Sequence, residues 1–286
     1  MTASPRTIQS LAEIAGSYTA ILSDVWGVVH NGERSFPSAV EALAAARAKG
    51  IAVVLITNSP RRTESVVAQM RSLGVPDDAW DRIVTSGEVT RALIAEGPRR
   101  IFHLGPERDM NLYDGLDVEA TEERDADGVV CTGLFDDEVE TPEDYADMLR
   151  RLRSRDLPFI CANPDIVVER GDRLIWCAGA LARDYTQLGG RTLIAGKPHA
   201  PIYRAALAAA GEVLGREVGA RDALAIGDGV LTDVKGAEAA GIDVLYVSGG
   251  IHAREYGEGA DPDLDRLVAF LERHGHAPVA TIPRLA

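Results

Sequence analysis

Two aspartates, each placed directly after an apolar run, constrain the fold of this chain most strongly. Asp24 follows the run 20–22, and Asp228 follows the run 223–226. Continuous apolar runs of this kind are typical of buried parallel strands. Open α/β sheets bind their ligands outside the carboxyl ends of such strands, so we expect both aspartates at one ligand-binding edge of a sheet.

The residues around Asp24 alternate between strand and helix signals. A helix is predicted over 38–49, because Gly50 stands in the position that usually ends a helix. The β-branched run 51–56 predicts the next strand, and a further helix is predicted over 62–73. This series favours a parallel sheet, and the expected fold class is therefore α/β, with a doubly wound, Rossmann-like core.

The middle of the chain carries strand and helix signals of its own, after which the first pattern resumes. We therefore expect a discontinuous core domain, residues 1–80 and 195–286, and a smaller inserted α/β domain, residues 81–194. The tail after His274 is expected to be a surface extension. The predicted elements of the inserted part are strands over 101–104, 128–132 and 158–162 and helices over 143–154 and 180–188.

Composition excludes several classes of partner. The formal net charge of −14 argues against nucleic acid and against anionic membrane surfaces, since both would repel the chain. The three cysteines show no C-x-x-C spacing, which argues against a disulfide framework and a zinc site and favours a reducing, cytoplasmic location. No apolar run approaches the roughly 20 residues of a membrane span, and no targeting segment is apparent. The oligomeric state is open, and a homo-oligomer is compatible with the sequence.

Two familiar nucleotide-binding motifs are incomplete in this sequence. Gly196-Lys197-Pro198 is not a P-loop, because no glycine precedes Gly196 by five residues and Pro198 replaces the hydroxyl residue that would bind magnesium. The segment 227–229 lacks the third glycine of a dinucleotide fingerprint. Lone aspartates after strands are often helix N-caps. The ordered presence of Thr57 and Lys197 favours a functional site over that simpler interpretation.

The ordered set of Asp24, Thr57, Lys197 and Asp228 with Asp233 resembles the four signature motifs of the haloacid dehalogenase (HAD) superfamily. The Gly-Lys-Pro segment before a helix, with Asn163-Pro164-Asp165 upstream, resembles its subclass with a type IIA cap. The match spans most of the chain. It implies that the inserted domain is a cap, and that Asn163 and Asp165, in what is first of all a turn, face the substrate.

The resemblance implies covalent catalysis of phosphoryl transfer. Asp24 would be the nucleophile and would form an aspartyl phosphate. Thr57 and the neighbouring Asn58 would hold phosphate oxygens, and Lys197 would neutralise the developing negative charge. The implied substrate is a small phosphorylated metabolite, which the cap would select and enclose.

The same resemblance implies a magnesium site. Mg²⁺ would bind the carboxylates of Asp24 and Asp228 and the backbone carbonyl of Trp26, because this hard cation takes oxygen ligands. Asp233 would be a further ligand or would orient one.

Trp26 is a departure from the family pattern, which has an acid-base aspartate at that position. An indole transfers no proton at neutral pH, and general acid-base catalysis is typically worth about 10²- to 10⁴-fold. The sequence therefore predicts a bias toward good leaving groups. His30, four residues further on, is a candidate substitute for the missing proton donor, although a loop histidine with satisfied hydrogen bonds is the simpler interpretation.

Several alternatives follow from the same residues. The predicted function is a Mg²⁺-dependent, HAD-type phosphatase. The main alternative is a catalytically weak protein that binds a phosphate ligand or an interaction partner on the same fold. A dehalogenase that attacks carbon is less consistent with two metal-binding aspartates after residue 227. Arg61 and Arg62 either bind an anionic substrate or belong to a solvated helix start.

Overall fold

The computed structural model describes residues 6–257 and 262–286. Its strands are β1 (Arg6–Thr7), β2 (Ala20–Asp24), β3 (Ala52–Thr57), β4 (Arg82–Thr85), β5 (Arg100–Leu104), β6 (Glu119–Ala120), β7 (Gly128–Cys131), β8 (Phe159–Cys161), β9 (Val167–Arg170), β10 (Arg173–Trp176), β11 (Thr192–Ile194), β12 (Ala223–Gly227), β13 (Asp243–Val247) and β14 (Ala280–Ile282). Its α-helices are α1 (Ala12–Ala15), α2 (Pro37–Ala48), α3 (Thr63–Ser72), α4 (Ser86–Ala95), α5 (Ala146–Ser154), α6 (Ala178–Gln187), α7 (Ala200–Leu214), α8 (Lys235–Ala239) and α9 (Leu264–His274).

The larger sheet has seven strands in the order β1-β14-β13-β12-β2-β3-β4. The pairings from β1 through β3 are all parallel. Every residue of β2, β3 and β12 is buried, which explains why these strands are continuous apolar runs and not alternating ones. The predicted α/β class with a doubly wound parallel core is confirmed.

A change of winding direction lies between β2 and β12, which are neighbours in this sheet. From β2 the chain proceeds to β3 on one side, and from β12 it proceeds to β13 on the other. Ligands of doubly wound sheets bind at this kind of switch point, outside the carboxyl ends of the strands. Asp24 ends β2 and Asp228 directly follows β12, so both stand at that position.

The tail after His274 is not a surface extension, and that prediction was wrong. Ala280–Ile282 forms β14, which is buried and lies between β1 and β13. Three residues are too few to carry a strand signal, and their burial comes from pairing with strands far away in the sequence.

β4 and α4 were not predicted from the sequence. Thr85 is the N-cap of α4, and its hydroxyl accepts a hydrogen bond from the Glu88 N–H at 3.0 Å. A threonine followed three residues later by a glutamate is the spacing of a capping box, so a helix-start signal was present in the sequence.

The smaller sheet has five parallel strands in the order β11-β8-β7-β5-β6, and β9 and β10 form a separate antiparallel hairpin. The core beside the five-stranded sheet is apolar. In it the ring of Tyr185 stacks on the ring of Phe159 at a centroid distance of 5.0 Å. The buried Tyr185 hydroxyl donates to the Leu157 carbonyl at 2.6 Å, which satisfies its only polar group.

The chain contains two compact units. Residues up to Thr57, Val67–Val84 and the residues from Tyr203 onward form the first unit, and Asn58–Val66 with Thr85–Ile202 form the second. The functional division into a core and a cap at residues 81 and 194 stays a prediction. Within 6–257 and 262–286, no helix has both the length and the apolar character needed to cross a bilayer.

Candidate active site

Three buried aspartates of the first unit come together. Asp24, Asp228 and Asp233 are each less than a tenth exposed, and one ligand oxygen from each lies within 4.8 Å of the others. Like charges held this closely repel each other unless a cation or protons neutralise them. Oxygen-only ligands suit a hard divalent cation, and these residues therefore fit the predicted metal site.

Backbone amides orient all three carboxylates. Each accepts a hydrogen bond from an N–H group in a loop that follows a strand, and this bond helps to fix the orientation of the carboxylate. Asp233 lies in a π-helical turn, Val230–Val234, directly before α8. Such turns are frequent at functional sites. The bonds run from Val25 to Asp24 Oδ1 at 2.7 Å, from Ile251 to Asp228 Oδ2 at 2.8 Å and from Gly229 to Asp233 Oδ2 at 3.0 Å.

Glycines make room for the Asp228 carboxylate. A Cβ atom on Gly27 or on Gly250 would overlap Asp228 Oδ2. Gly27 also has a φ of +77°, a conformation that favours glycine. Gly250 and Ile251 were not among the predicted site residues, although the Gly249-Gly250 pair after β13 is a turn signal.

Trp26 and His30 face each other in the loop after β2. Their rings form an edge-to-face contact at a centroid distance of 5.0 Å, and the Gly27 N–H donates to the His30 carbonyl at 2.9 Å. His30 Nδ1 accepts a hydrogen bond from Gly32, so the neutral imidazole carries its proton on Nε2. Burial lowers the pKa of His30 to about 4. Its imidazolium form is therefore scarce at neutral pH, which argues against His30 as the substitute acid.

The predicted substrate-binding residues of the second unit form one hydrogen-bonded group. Asn58 Oδ1 accepts from the Lys197 N–H at 2.7 Å, and Asn58 Nδ2 donates to the Lys197 carbonyl at 3.2 Å and to Asp165 Oδ1 at 2.8 Å. Asn163 Oδ1 accepts from the Asp165 N–H at 3.1 Å. Asn58 and Lys197 are both 2% exposed. Thr57, in the first unit, is the last residue of β3 and is equally buried.

Comparisons with known proteins show which family this chain resembles. A family model described as haloacid dehalogenase-like hydrolase matches residues 21–119, and one described as HAD-hydrolase-like matches residues 194–272. A solved hydrolase of the haloacid dehalogenase-like family from Brucella suis 1330 is 62% identical, with a TM-score of 0.89, and the match covers 98% of this chain and 100% of that one.

Two further relatives are more distant. The 5′-nucleotidase YutF of Bacillus subtilis is 28% identical over 246 residues, which are 84% of this chain and 91% of that protein. A glycerol phosphate phosphatase from Mycobacterium tuberculosis, solved in complex with calcium, is 25% identical with a TM-score of 0.63, over 89% of this chain and 76% of that one. The family resemblance predicted from the motifs is confirmed. This chain belongs to the haloacid dehalogenase-like hydrolases.

Proposed function

We propose that this hydrolase is a Mg²⁺-dependent phosphatase that acts on a small phosphorylated metabolite through an aspartyl-phosphate intermediate. Its relatives, a 5′-nucleotidase among them, confirm the predicted class of enzyme, an HAD-type phosphatase. The observation that carries the rest of the proposal is the group of three buried carboxylates, Asp24, Asp228 and Asp233.

The metal would be held by oxygen atoms of the first unit. These are the carboxylates of Asp24, Asp228 and Asp233 and, by the resemblance, the backbone carbonyl of Trp26. A divalent cation bound there neutralises negative charge on the phosphoryl group and on the nucleophile. Magnesium is the proposed ion because it suits a small set of carboxylates completed by water.

Asp24 supplies the nucleophile. One of its carboxylate oxygens attacks phosphorus, and the bond from phosphorus to the leaving-group oxygen breaks with its electron pair on that oxygen. Water then attacks phosphorus in the aspartyl phosphate, which releases inorganic phosphate and restores the Asp24 carboxylate. Thr57 and Asn58 would bind the phosphate oxygens, and the Lys197 ammonium would oppose their charge. Burial strengthens such charge interactions because it excludes water.

Trp26 should slow the formation of the aspartyl phosphate, because its side chain cannot donate a proton to the leaving group. Without a carboxylic acid there, the leaving oxygen departs unprotonated, so aryl phosphates, acyl phosphates and anhydrides should react faster than alkyl phosphates. The same residue favours a second candidate function, a protein that binds phosphorylated ligands with little turnover. Asn163 and Asp165 are proposed to contact the leaving group in either case.

Steady-state hydrolysis of p-nitrophenyl phosphate and a panel of phosphorylated metabolites, with and without Mg²⁺, tests the proposal. We expect many turnovers per enzyme, complete dependence on a divalent cation, and a loss of at least about three orders of magnitude in Asp24→Asn. The matched control is Asp265→Asn, because Asp265 is an exposed acid at the start of α9. Folded Asp24→Asn protein with wild-type rates would contradict covalent catalysis, and a single turnover or none would favour the binding protein.

A further inference from the structure

Arg61 and Arg62 are adjacent in sequence and similarly exposed, yet their surroundings differ. Arg62 donates to Glu88 Oε1 at 2.8 Å and lies 3.9 Å from Glu64. The Arg61 guanidinium approaches only Asp109 Oδ1, at 3.5 Å, and makes no hydrogen bond to any residue in 6–257 or 262–286. Its side chain is 30% exposed, so a ligand can reach it. Arg62 is therefore an ion-paired residue at a helix start, whereas the N–H groups of the Arg61 guanidinium are available to bind a ligand.

The charges around Arg61 leave a positive excess. Two further arginines, Arg108 and Arg170, and two acids, Asp109 and Asp137, act on it. Asp137 is already bound by Arg108 at 2.9 Å and by Arg170 at 3.1 Å, so it does little to neutralise Arg61. Burial lowers the pKa of Arg61, but a guanidinium stays charged at neutral pH. Arg170 also pairs with Glu138, which in turn pairs with Arg173, so four cations face three carboxylates in a chain whose formal net charge is −14.

Buried polar atoms without partners accompany this cluster. Asp109 and Thr132 are each 2% exposed, and Thr132 lies close enough to act on the Asp109 carboxyl group. Buried polar atoms in proteins normally have a partner, either in the protein or in a bound molecule. Among the residues that the structure describes, five buried side-chain atoms make no hydrogen bond, and all belong to the second unit: Ser86 Oγ, Thr90 Oγ1, Asp109 Oδ1, Asn111 Oδ1 and Thr132 Oγ1.

The loop that carries Arg61 also carries Asn58 and is packed tightly on α4. A Cβ atom on Gly87 would overlap the carbonyls of Pro60 and Arg61. Gly196, which precedes Lys197, leaves no room for a Cβ beside Ser86 Oγ and Asn58 Oδ1. Asn58 and Arg61 are therefore presented by one well-supported loop of the second unit.

We propose that Arg61 binds a second anionic group, a carboxylate or a further phosphate, on the leaving group of the substrate. The proposal rests on the proposed phosphatase function and narrows its substrate class to metabolites with two anionic groups. The planar guanidinium can donate two parallel hydrogen bonds to either group. Asp109 is a positioning residue, because its ion pair holds Arg61 without occupying a hydrogen-bond donor.

Selectivity between matched substrates tests this assignment. One pair is glycerol 3-phosphate and 3-phosphoglycerate, which differ by a carboxylate, and the other is fructose 6-phosphate and fructose 1,6-bisphosphate, which differ by a phosphate. The measured quantity is the ratio of kcat/KM between the doubly and singly anionic member of each pair. Arg61→Gln should lower this ratio about 10- to 100-fold in at least one pair, as expected for hydrogen bonds to a charged group. The pair that responds identifies the anion.

Arg62→Gln is the matched control and should leave both ratios unchanged. If Arg61→Gln lowers kcat/KM equally for both members of both pairs, the proposal is overturned. A residue that only neutralises Asp109 has no preference for a second anion. If Arg61→Gln does not fold, Arg61→Lys keeps the charge beside Asp109 but lacks the planar fork, and a lowered ratio is again expected. An unchanged ratio in folded Arg61→Lys would overturn the proposal in that case.

Binding measured without turnover separates this proposal from the catalytic one. In the Asp24→Asn background, calorimetry should show a preference for 3-phosphoglycerate over glycerol 3-phosphate, or for the bisphosphate over fructose 6-phosphate, that Arg61→Gln removes. If no phosphate ester is hydrolysed but this preference exists and depends on Arg61, the catalytic proposal fails and the anion site stands. If hydrolysis occurs and neither ratio nor preference depends on Arg61, the anion site fails and the phosphatase stands.

Discussion

Asn58 binds the backbone of Lys197 from both sides of the residue. Its Oδ1 accepts the Lys197 N–H at 2.7 Å, and its Nδ2 donates to the Lys197 carbonyl at 3.2 Å, across a separation of 139 positions in the chain. Both residues are buried, and hydrogen bonds are electrostatically stronger away from water. Asn58 therefore helps to fix the backbone position from which the side chain of Lys197, the proposed phosphate-binding lysine, extends.

Replacing Asn58 with alanine should destabilise the folded protein and lower its catalytic efficiency. The change removes the hydrogen bonds that Asn58 makes to a buried N–H and a buried carbonyl of Lys197, which should cost about 1–3 kcal/mol in the free energy of unfolding. kcat/KM should fall as well, because Lys197 loses its support. Urea unfolding and steady-state kinetics measure the two effects. Asn31→Ala is the control, since Asn31 accepts only from its neighbours Glu33 and Arg34 in an exposed turn. Similar small effects in both variants would contradict the assigned role.

Gly250→Ala should weaken metal binding. Its Cβ would overlap Asp228 Oδ2, so the carboxylate must shift from the position in which it lies near Asp24 and Asp233. We expect the concentration of Mg²⁺ needed for half-maximal activity to rise about tenfold or more, as is typical when the groups that orient metal ligands are disturbed. Gly16→Ala is the control, because nothing lies within 4 Å of a Cβ at Gly16. An unchanged Mg²⁺ requirement would show that the carboxylate arrangement tolerates the displacement.

Trp26→Asp should restore the acid that the family pattern places at this position. We expect hydrolysis of cyclohexyl phosphate to rise at least about tenfold, with a smaller effect on phenyl phosphate, because only the alkoxide needs protonation. Trp26→Asn is the control, as it has the same size but no proton to give. The replacement also removes the packing of the indole against His30, so unfolding should be measured in parallel. If both variants hydrolyse cyclohexyl phosphate equally faster than the wild type, the gain comes from removing the bulky indole and not from adding an acid.

Asp165→Asn should change the ranking of substrates. The asparagine keeps one oxygen for the hydrogen bond from Asn58 but removes the charge and replaces the other oxygen with an NH2 group. The Asn58 bonds that support Lys197 should therefore persist. We expect kcat/KM to change by about tenfold for substrates whose leaving group contacts this residue, with a minor effect on p-nitrophenyl phosphate. Asp172→Asn, at an exposed turn between β9 and β10, is the control. Uniform changes over the whole substrate panel would assign Asp165 to the support of the turn alone.

Much of the first unit could be predicted from local pattern. The helix predicted over 38–49 is α2, Pro37–Ala48, and the strand predicted over 51–56 is β3, Ala52–Thr57. Their signals are local, because apolar runs, helix-stopping glycines and β-branched residues act within a few positions of where they stand. The strand-end positions of Asp24 and Asp228 follow from the same signals.

Other features depend on residues that are distant in sequence. The pairing of β14 between β1 and β13, the fit of Gly250 against Asp228 and the bonds from Asn58 to Lys197 each join parts of the chain that no local window contains. The turn before α8 is π-helical, although the sequence there shows only a helix start. Long-range packing, and not propensity, decides such features.

Residue type and local order were enough to predict the class of fold, the strand-end aspartates and the absence of an acid at position 26. Three other findings depend on the tertiary structure. Three carboxylates converge within 4.8 Å, His30 is buried and neutral, and Arg62 donates a hydrogen bond to Glu88 whereas the Arg61 guanidinium lies beside Asp109. Charge state and hydrogen-bond satisfaction depend on what surrounds a side chain, and those neighbours are brought together only by folding.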